Sequence, residues 1–255
     1  MTLHCQVRGD GADLVLLHGW GMNAAVWDNV ADDLAQHFRV HSVDLPGYGD
    51  SSAGEPYTLA GITDALAAAL PRRVVICGWS LGGQVALNWA LRAPHQVERL
   101  VLIATTPRFV NGARWDIGID AGMVDGLARD LADDRSAMLQ RFLALLAQDD
   151  TDARAVLRYL RQIMRERGEP AAMVLAAGLQ ILRETDLRDS LPQIAQPALI
   201  LHGERDVIVP LAAGAYLQRM LQRAALEVCA GAAHVPFVSS PRRTAQRIVE
   251  FCRGQ

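Results

Sequence analysis

Short runs dominated by Val, Leu and Ile recur along the chain, at Leu14–Leu17, Arg39–Val43, Val74–Cys77, Leu100–Ile103 and Ala198–Leu201. Each is nearly continuous in apolar residues, which is the pattern of a strand buried on both faces. Helix-length segments separate them, at Ala24–Gln36, Leu59–Leu70, Gly82–Arg92 and Leu211–Gln222. A weaker strand, Leu226–Cys229, and a last helix from about Arg242 close the chain. Strands alternating with helices predict an α/β fold: a mostly parallel central sheet with helices on both faces.

The alternation stops between about Pro107 and Leu191. That stretch keeps a helical period throughout, with helices expected near Ala121–Leu131, Ser136–Ala147, Asp152–Arg167 and Pro170–Leu182. Pro170 suits the first turn of its helix. An all-helical block between two strands of one sheet is expected to be an inserted lid. Residues 1–106 and 191–255 would then form the core, and 107–190 would cover the crevice where open α/β sheets bind ligands.

Composition narrows the function. A chain of 255 residues with 51% hydrophobic content can build a sizeable core, burying roughly 75% of its unfolded surface. A net charge of −3 argues against disorder and against a basic nucleic-acid binder. The 25 basic residues are all Arg, which looks like base composition of the genome, so only their local arrangement is informative. Cys5, Cys77, Cys229 and Cys252 have neither CxxC spacing nor histidine partners, so no metal site is expected. Free thiols fit a reducing compartment. With no apolar run of about 18 residues and no signal-like N-terminus, a cytoplasmic protein without membrane contact is expected.

Gly78-Trp79-Ser80-Leu81-Gly82 is a G-x-S-x-G sequence. It directly follows a predicted strand and directly precedes a predicted helix, the setting a nucleophile elbow requires. Glycines remove Cβ atoms where such a turn crowds the chain. The turn would present Ser80 Oγ at the start of a helix whose N–H groups favour negative charge.

A serine hydroxyl needs a base to take its proton. His234, in Gly231-Ala232-Ala233-His234, follows the last strand, and the chain order Ser, Asp, His of this architecture selects it over the other six histidines. An acid must orient the imidazole. Asp206 lies in the loop after Ala198–Leu201, with Glu204 as the competing carboxylate. An oxyanion hole needs two preorganised N–H donors. Leu81, next to the nucleophile, should supply one. Trp20, in His18-Gly19-Trp20-Gly21, is the candidate for the other, with its indole beside the reacting carbonyl. His18 is expected to brace that loop and His202 to be structural.

With these residues in hand the chain resembles the α/β-hydrolase superfamily over essentially its whole length. The resemblance rests on His18-Gly19, Asp44-Leu45-Pro46-Gly47-Tyr48-Gly49, Gly78 to Gly83, Asp206 and His234. Within the superfamily it is similar to the pimeloyl-[acyl-carrier protein] methyl ester esterases of biotin synthesis. Leu16 to Asn23, Arg141-Phe142-Leu143-Ala144-Leu145, Gly178-Leu179-Gln180-Ile181-Leu182 and Thr185-Asp186-Leu187-Arg188 carry that likeness. The resemblance implies a Ser80–Asp206–His234 triad, an acyl-enzyme on Ser80 and no cofactor. It implies that Trp20, Leu81 and Phe142 bind the acyl chain, and that lid arginines, Arg141 among them, grip an acyl carrier protein. A monomer is expected, with small esters as surrogate substrates.

The lid sequence bears on the carrier directly. Arg154, Arg158, Arg161 and Arg165 recur at i, i+4, i+7 and i+11, one narrow stripe at about 100° per residue. Val156, Leu160, Ile163 and Met164 fall mostly opposite. The stripe could dock an acidic partner. It could equally be a solvated face matched by Asp149, Asp150 and Asp152 just before it. Where the family tends to carry a further basic residue this chain has Ala137, with Arg135 nearby. Rival functions are a general short-chain carboxylesterase, a carbon–carbon bond hydrolase, or a ligand receptor of the same fold. Haloalkane dehalogenases and epoxide hydrolases are disfavoured, since both use Asp where this chain has Ser80.

Overall fold

A computed structural model describes residues 2–54 and 57–254. Its centre is a seven-stranded sheet in the order β1-β3-β2-β4-β5-β6-β7. The strands are β1 Cys5–Arg8, β2 Ala12–Leu17, β3 Phe38–Val43, β4 Val74–Trp79, β5 Val97–Ile103, β6 Ala198–Gly203 and β7 Ala224–Cys229. All pairs are parallel except β1 with β3. The six expected strands are present, each longer than its apolar run. β1 is an addition. It is an edge strand whose two middle residues are exposed, so it lacks the doubly buried pattern that marks the others.

The helices that flank the sheet are α1 Asp28–Leu34, α2 Leu59–Ala69, α3 Leu81–Arg92, α8 Leu211–Met220, α9 Pro236–Ser239 and α10 Pro241–Arg253. The segment expected as one helix from Ala24 starts instead as a 3₁₀ turn, Ala24–Trp27, capped by the Asn23 side chain on Ala25 N. Trp27 stacks on Phe237 with centroids 4.1 Å apart, and Phe237 meets Trp79 edge-on at 5.4 Å. These fully buried rings pack the core beside the carboxyl end of β4.

Between β5 and β6 the chain forms α4 Ala121–Asp133, α5 Arg135–Leu146, α6 Ala153–Arg167 and α7 Ala172–Glu184. Asp134 ends α4 and caps α5 through Ala137 N. α7 starts later than expected: Pro170 lies ahead of the N-cap residue Ala171, not in the first turn. The block is clasped at its stem. Asp186 Oδ2 accepts from Arg108 Nη1 at 2.6 Å and from Arg188 Nη2 at 2.8 Å, and Leu187 N donates to Pro107 O. The Arg188 and Arg108 guanidinium groups hold the Asp186 carboxyl down to about 2 against partial burial.

The strand order places the site. β2 leads to β3 on one side, and β4 then pairs with the other side of β2. The order therefore reverses between β2 and β4, where ligands bind outside the carboxyl ends of the strands. Leu17 and Gly78 are in register there, so the loops after β2 and β4 emerge side by side. Among the described residues, no helix is long and apolar enough to cross a membrane.

Candidate active site

Ser80 stands between β4 and α3 with φ 54° and ψ −116°. A side chain in that left-handed region is strained unless its surroundings fix it. Here Ser80 N donates to Ile103 O at 3.0 Å, and Ser80 O accepts from the buried Thr105 Oγ1 at 2.7 Å. Neighbouring backbones close on the turn. A Cβ on Gly78 would strike Gly82 O, and one on Gly82 would strike Leu17 O. Ser80 is partly exposed while Trp79 and Leu81 on either side are buried.

His234 is buried, and its Nδ1 donates to Asp206 Oδ2 at 2.7 Å. That bond commits Nδ1 to the carboxylate and leaves Nε2 as the ring nitrogen that faces elsewhere. Nε2 is buried and has no partner among the described residues. Asp206 Oδ1 accepts from Ile208 N and Val209 N, both at 2.9 Å, so the carboxylate is held at both oxygens. Glu204 forms no pair with His234 among the described residues and accepts from Gly231 N at 2.8 Å in an exposed position. The elbow and the histidine loop are tied directly, since Trp79 Nε1 donates to His234 O at 2.8 Å. Ser80 Oγ makes no hydrogen bond among the described residues, an arrangement common where substrate tightens the contacts.

The loop after β2 lies against the elbow. A Cβ on Gly19 would come within 3.2 Å of Ser80 Cβ, so the glycine permits the approach. Neither Trp20 N nor Leu81 N is engaged in a hydrogen bond among the described residues, which leaves both donors available. The Trp20 indole is committed elsewhere. Its Nε1 donates to Leu175 O of α7 at 2.9 Å, and its ring meets Phe142 of α5 edge-on at 4.8 Å. His18 bridges the loops after β2 and β3: Nδ1 donates to Gly19 O and Nε2 accepts from Leu45 N. Burial lowers its pKa, which keeps it neutral for both roles. His202 is also held neutral by burial, with Nε2 donating to Val209 O at 2.8 Å beside Asp206.

An apolar groove of about 240 Å³ runs beneath α4 and α5, lined by Phe109, Ile119, Met123, Leu127, Phe142, Leu145, Val207 and Ile208. Val207 and Ile208 directly follow Asp206. At the groove's polar edge Asp130 pairs with Arg141 at 2.7 Å.

On α6, Val156, Leu160, Ile163 and Met164 are buried, and Arg154, Arg158, Arg161 and Arg165 are exposed. Among the described residues none of these four arginines has a carboxylate within 4.0 Å; Arg161 donates to Gln140. Of the preceding acids, Asp150 turns inward to Ala233 N, while Asp149 and Asp152 are exposed and form no ion pair with the stripe among the described residues. Arg135 is paired with Glu169, so it does not replace a basic residue at Ala137. Three residues that anchor the catalytic loops were not anticipated from sequence: Thr105, Asp150 and Thr151.

His4, Asp44 and Asp50 offer three donor atoms within 4.8 Å of one another. Their lone pairs are taken by protein groups. Asp44 accepts from Ala24 N, Asp50 N and His4 Nδ1, and Arg167 Nη2 lies 2.7 Å from Asp50 and 3.6 Å from Asp44. This is an ion network tying α6 to the core.

Residues 14–241 match the family profile of the alpha/beta hydrolase fold. The chain is 43% identical over 242 residues to the pimeloyl-[acyl-carrier protein] methyl ester esterase of Nitrosomonas europaea, covering 95% of this chain and 96% of that one. Its likeness to the Nitrosospira multiformis protein of the same name is 41% over 260 residues, covering 99% of each. An esterase from Exiguobacterium antarcticum shares the fold with a TM-score of 0.89 at 24% identity, covering 98% of this chain and 95% of that one. A hydrolase from Pseudomonas aeruginosa superposes with a TM-score of 0.81 at 29% identity, covering 98% and 94%.

Proposed function

The chain belongs to the alpha/beta-hydrolase family, and from that premise we propose that it is a serine carboxylesterase that removes the methyl ester of a pimeloyl group held on an acyl carrier protein. This is the reaction for which its relatives from Nitrosomonas europaea and Nitrosospira multiformis are named. The observation that carries the chemistry is the buried Asp206–His234 pair, with Nε2 unpartnered, tied to the loop that presents Ser80.

Ser80 Oγ attacks the ester carbonyl as His234 Nε2 takes its proton. Asp206 stabilises the imidazolium. The N–H groups of Leu81 and Trp20 receive the oxyanion. The tetrahedral intermediate collapses, the bond to the methoxy oxygen breaks, and His234 returns the proton to release methanol. Water then adds to the acyl-enzyme by the same route and frees Ser80.

Residues 107–190 act as a lid, and the groove beside Val207, Ile208 and Phe142 receives the acyl chain. The unpaired arginine ridge supports a carrier as the partner. An acidic carrier seated on Arg154 and Arg158, with Arg161 and Arg141 beside them, keeps its thioester outside and passes the distal ester inward. The site is assembled from one chain, and the free cysteines suit the cytoplasm. We propose that compartment for the enzyme, working as a monomer.

The test is the double variant Arg154→Ala/Arg158→Ala. Turnover of a small p-nitrophenyl ester should stay unchanged. KM for a carrier-linked methyl ester should rise about tenfold, from two surface pairs worth up to roughly 1 kcal/mol each. Added salt should weaken the wild type more than the variant. A double variant that handles both substrates like the wild type would leave a general carboxylesterase.

A further inference from the structure

The turn between α5 and α6 reaches across to the loop that carries His234. Asp150 is 6% exposed although it sits in a run of acids beside a solvent-facing ridge. Its Oδ2 accepts from Ala233 N, the residue before His234, at 2.8 Å. Its Oδ1 accepts from Asp152 N at 2.8 Å, which closes the turn on itself. Thr151 adds two bonds to the same loop, from N at 2.9 Å and from Oγ1 at 3.0 Å, both to Gly231 O. Among the described residues no cation lies within 4.0 Å of the Asp150 carboxyl, and its hydrogen-bond partners are two backbone N–H groups.

The loop from Gly231 to His234 is thereby gripped from two sides. On the core side, Arg205 N donates to Ala232 O and Glu204 accepts from Gly231 N. On the helical side, Asp150 and Thr151 supply the rest. A hydrogen bond to an ionised carboxylate is shorter and stronger than a neutral one, and it fixes direction. Ala233 is fully buried, so without Asp150 its N–H would be left unsatisfied and the loop would have to move to recover a partner.

We infer that Asp150 is a positioning residue for His234, reaching from the inserted helical block to set the place of the imidazole through the Ala233 backbone. The inference rests on His234 being the base proposed above. A shift of about 1 Å in a catalytic group can cost on the order of a hundredfold in rate.

Asp150→Asn keeps the shape, but an NH₂ replaces one of the two oxygens that accept, so either Ala233 N or Asp152 N faces a donor. In the full-length folded enzyme it should lower kcat for p-nitrophenyl butyrate at least tenfold, with KM within twofold of wild type. The downfield proton resonance of the His234 Nδ1–H bonded to Asp206 should shift or broaden. Asp152→Asn, exposed in the same turn, should match the wild type in both readouts. Thr151→Val should lower kcat about threefold at unchanged KM, and it decides the matter if Asp150→Asn does not fold. A folded Asp150→Asn enzyme with wild-type kcat and an unmoved resonance overturns the inference. So does a loss of rate that only tracks the folded fraction. If His234→Ala and Ser80→Ala are themselves active, the catalytic assignment has failed. If those two are dead and Asp150→Asn is normal, the positioning role alone has failed.

Discussion

Asp206→Asn separates orientation of the imidazole from mere occupancy of the site. The native carboxylate takes three hydrogen bonds, two from Ile208 N and Val209 N on Oδ1 and one from His234 Nδ1 on Oδ2. The asparagine oxygen can keep the first two. Its NH₂ must then face His234 Nδ1, where it can only donate. The imidazole responds by moving its proton to Nε2, the atom that has to accept from Ser80. In a protease triad the same exchange costs about 10⁴ in kcat, equivalent to about 5.5 kcal/mol of transition-state stabilisation at 1.36 kcal/mol per factor of ten. The backbone bonds pass from charge-assisted to neutral, so stability should fall by only about 1 kcal/mol. Single-turnover hydrolysis of p-nitrophenyl butyrate reads the acylation step, and thermal unfolding confirms the fold. Glu204→Gln, which touches only Gly231 N, should stay within about threefold of wild type. An Asp206→Asn enzyme within tenfold of wild type, or a Glu204→Gln enzyme more damaged than it, would refute the argument.

Ser80→Ala should abolish esterase activity while leaving the fold intact, checked by turnover and circular dichroism. Ser80→Gly should be at least as stable as wild type and up to about 1 kcal/mol more so, because φ 54° strains any residue with a Cβ; a drop in unfolding free energy of more than 1 kcal/mol would count against that strain. Asp186→Asn should cost about 1 kcal/mol at pH 7, a figure discounted for the carboxylate's partial exposure. The Asp186 contribution is present above its unfolded value of 3.8 and fades as pH falls through about 2, so denaturant titrations of wild type and variant should converge there.

The strands and the sharp turn at Ser80 were legible because each leaves a local pattern: doubly buried runs for β2 to β6, and a strand–glycine–helix junction around Ser80. Asp206 and His234 could be chosen by chain order. The bonds that fix them could not. Asp150 reads as one more acid before a basic helix, and nothing in its neighbourhood announces a partner at Ala233, 83 residues away. β1 escaped for a related reason, since an edge strand with exposed middle residues carries no apolar run. The ridge on α6 was visible as a stripe at helical spacing. Which of the nearby acids face it depended on side-chain direction: Asp150 turns inward, and Asp149 and Asp152 stay exposed.

Trp20 serves two owners. Its main-chain N–H has no partner and lies one residue from the glycine packed on Ser80, while its indole is fastened to Leu175 on α7. In the proposed mechanism, displacing α7 would therefore either break that bond or carry the Trp20 main chain with it. In the second case the N–H offered to the oxyanion would leave with the helix, and Leu81 N–H would be the one proposed donor still beside Ser80.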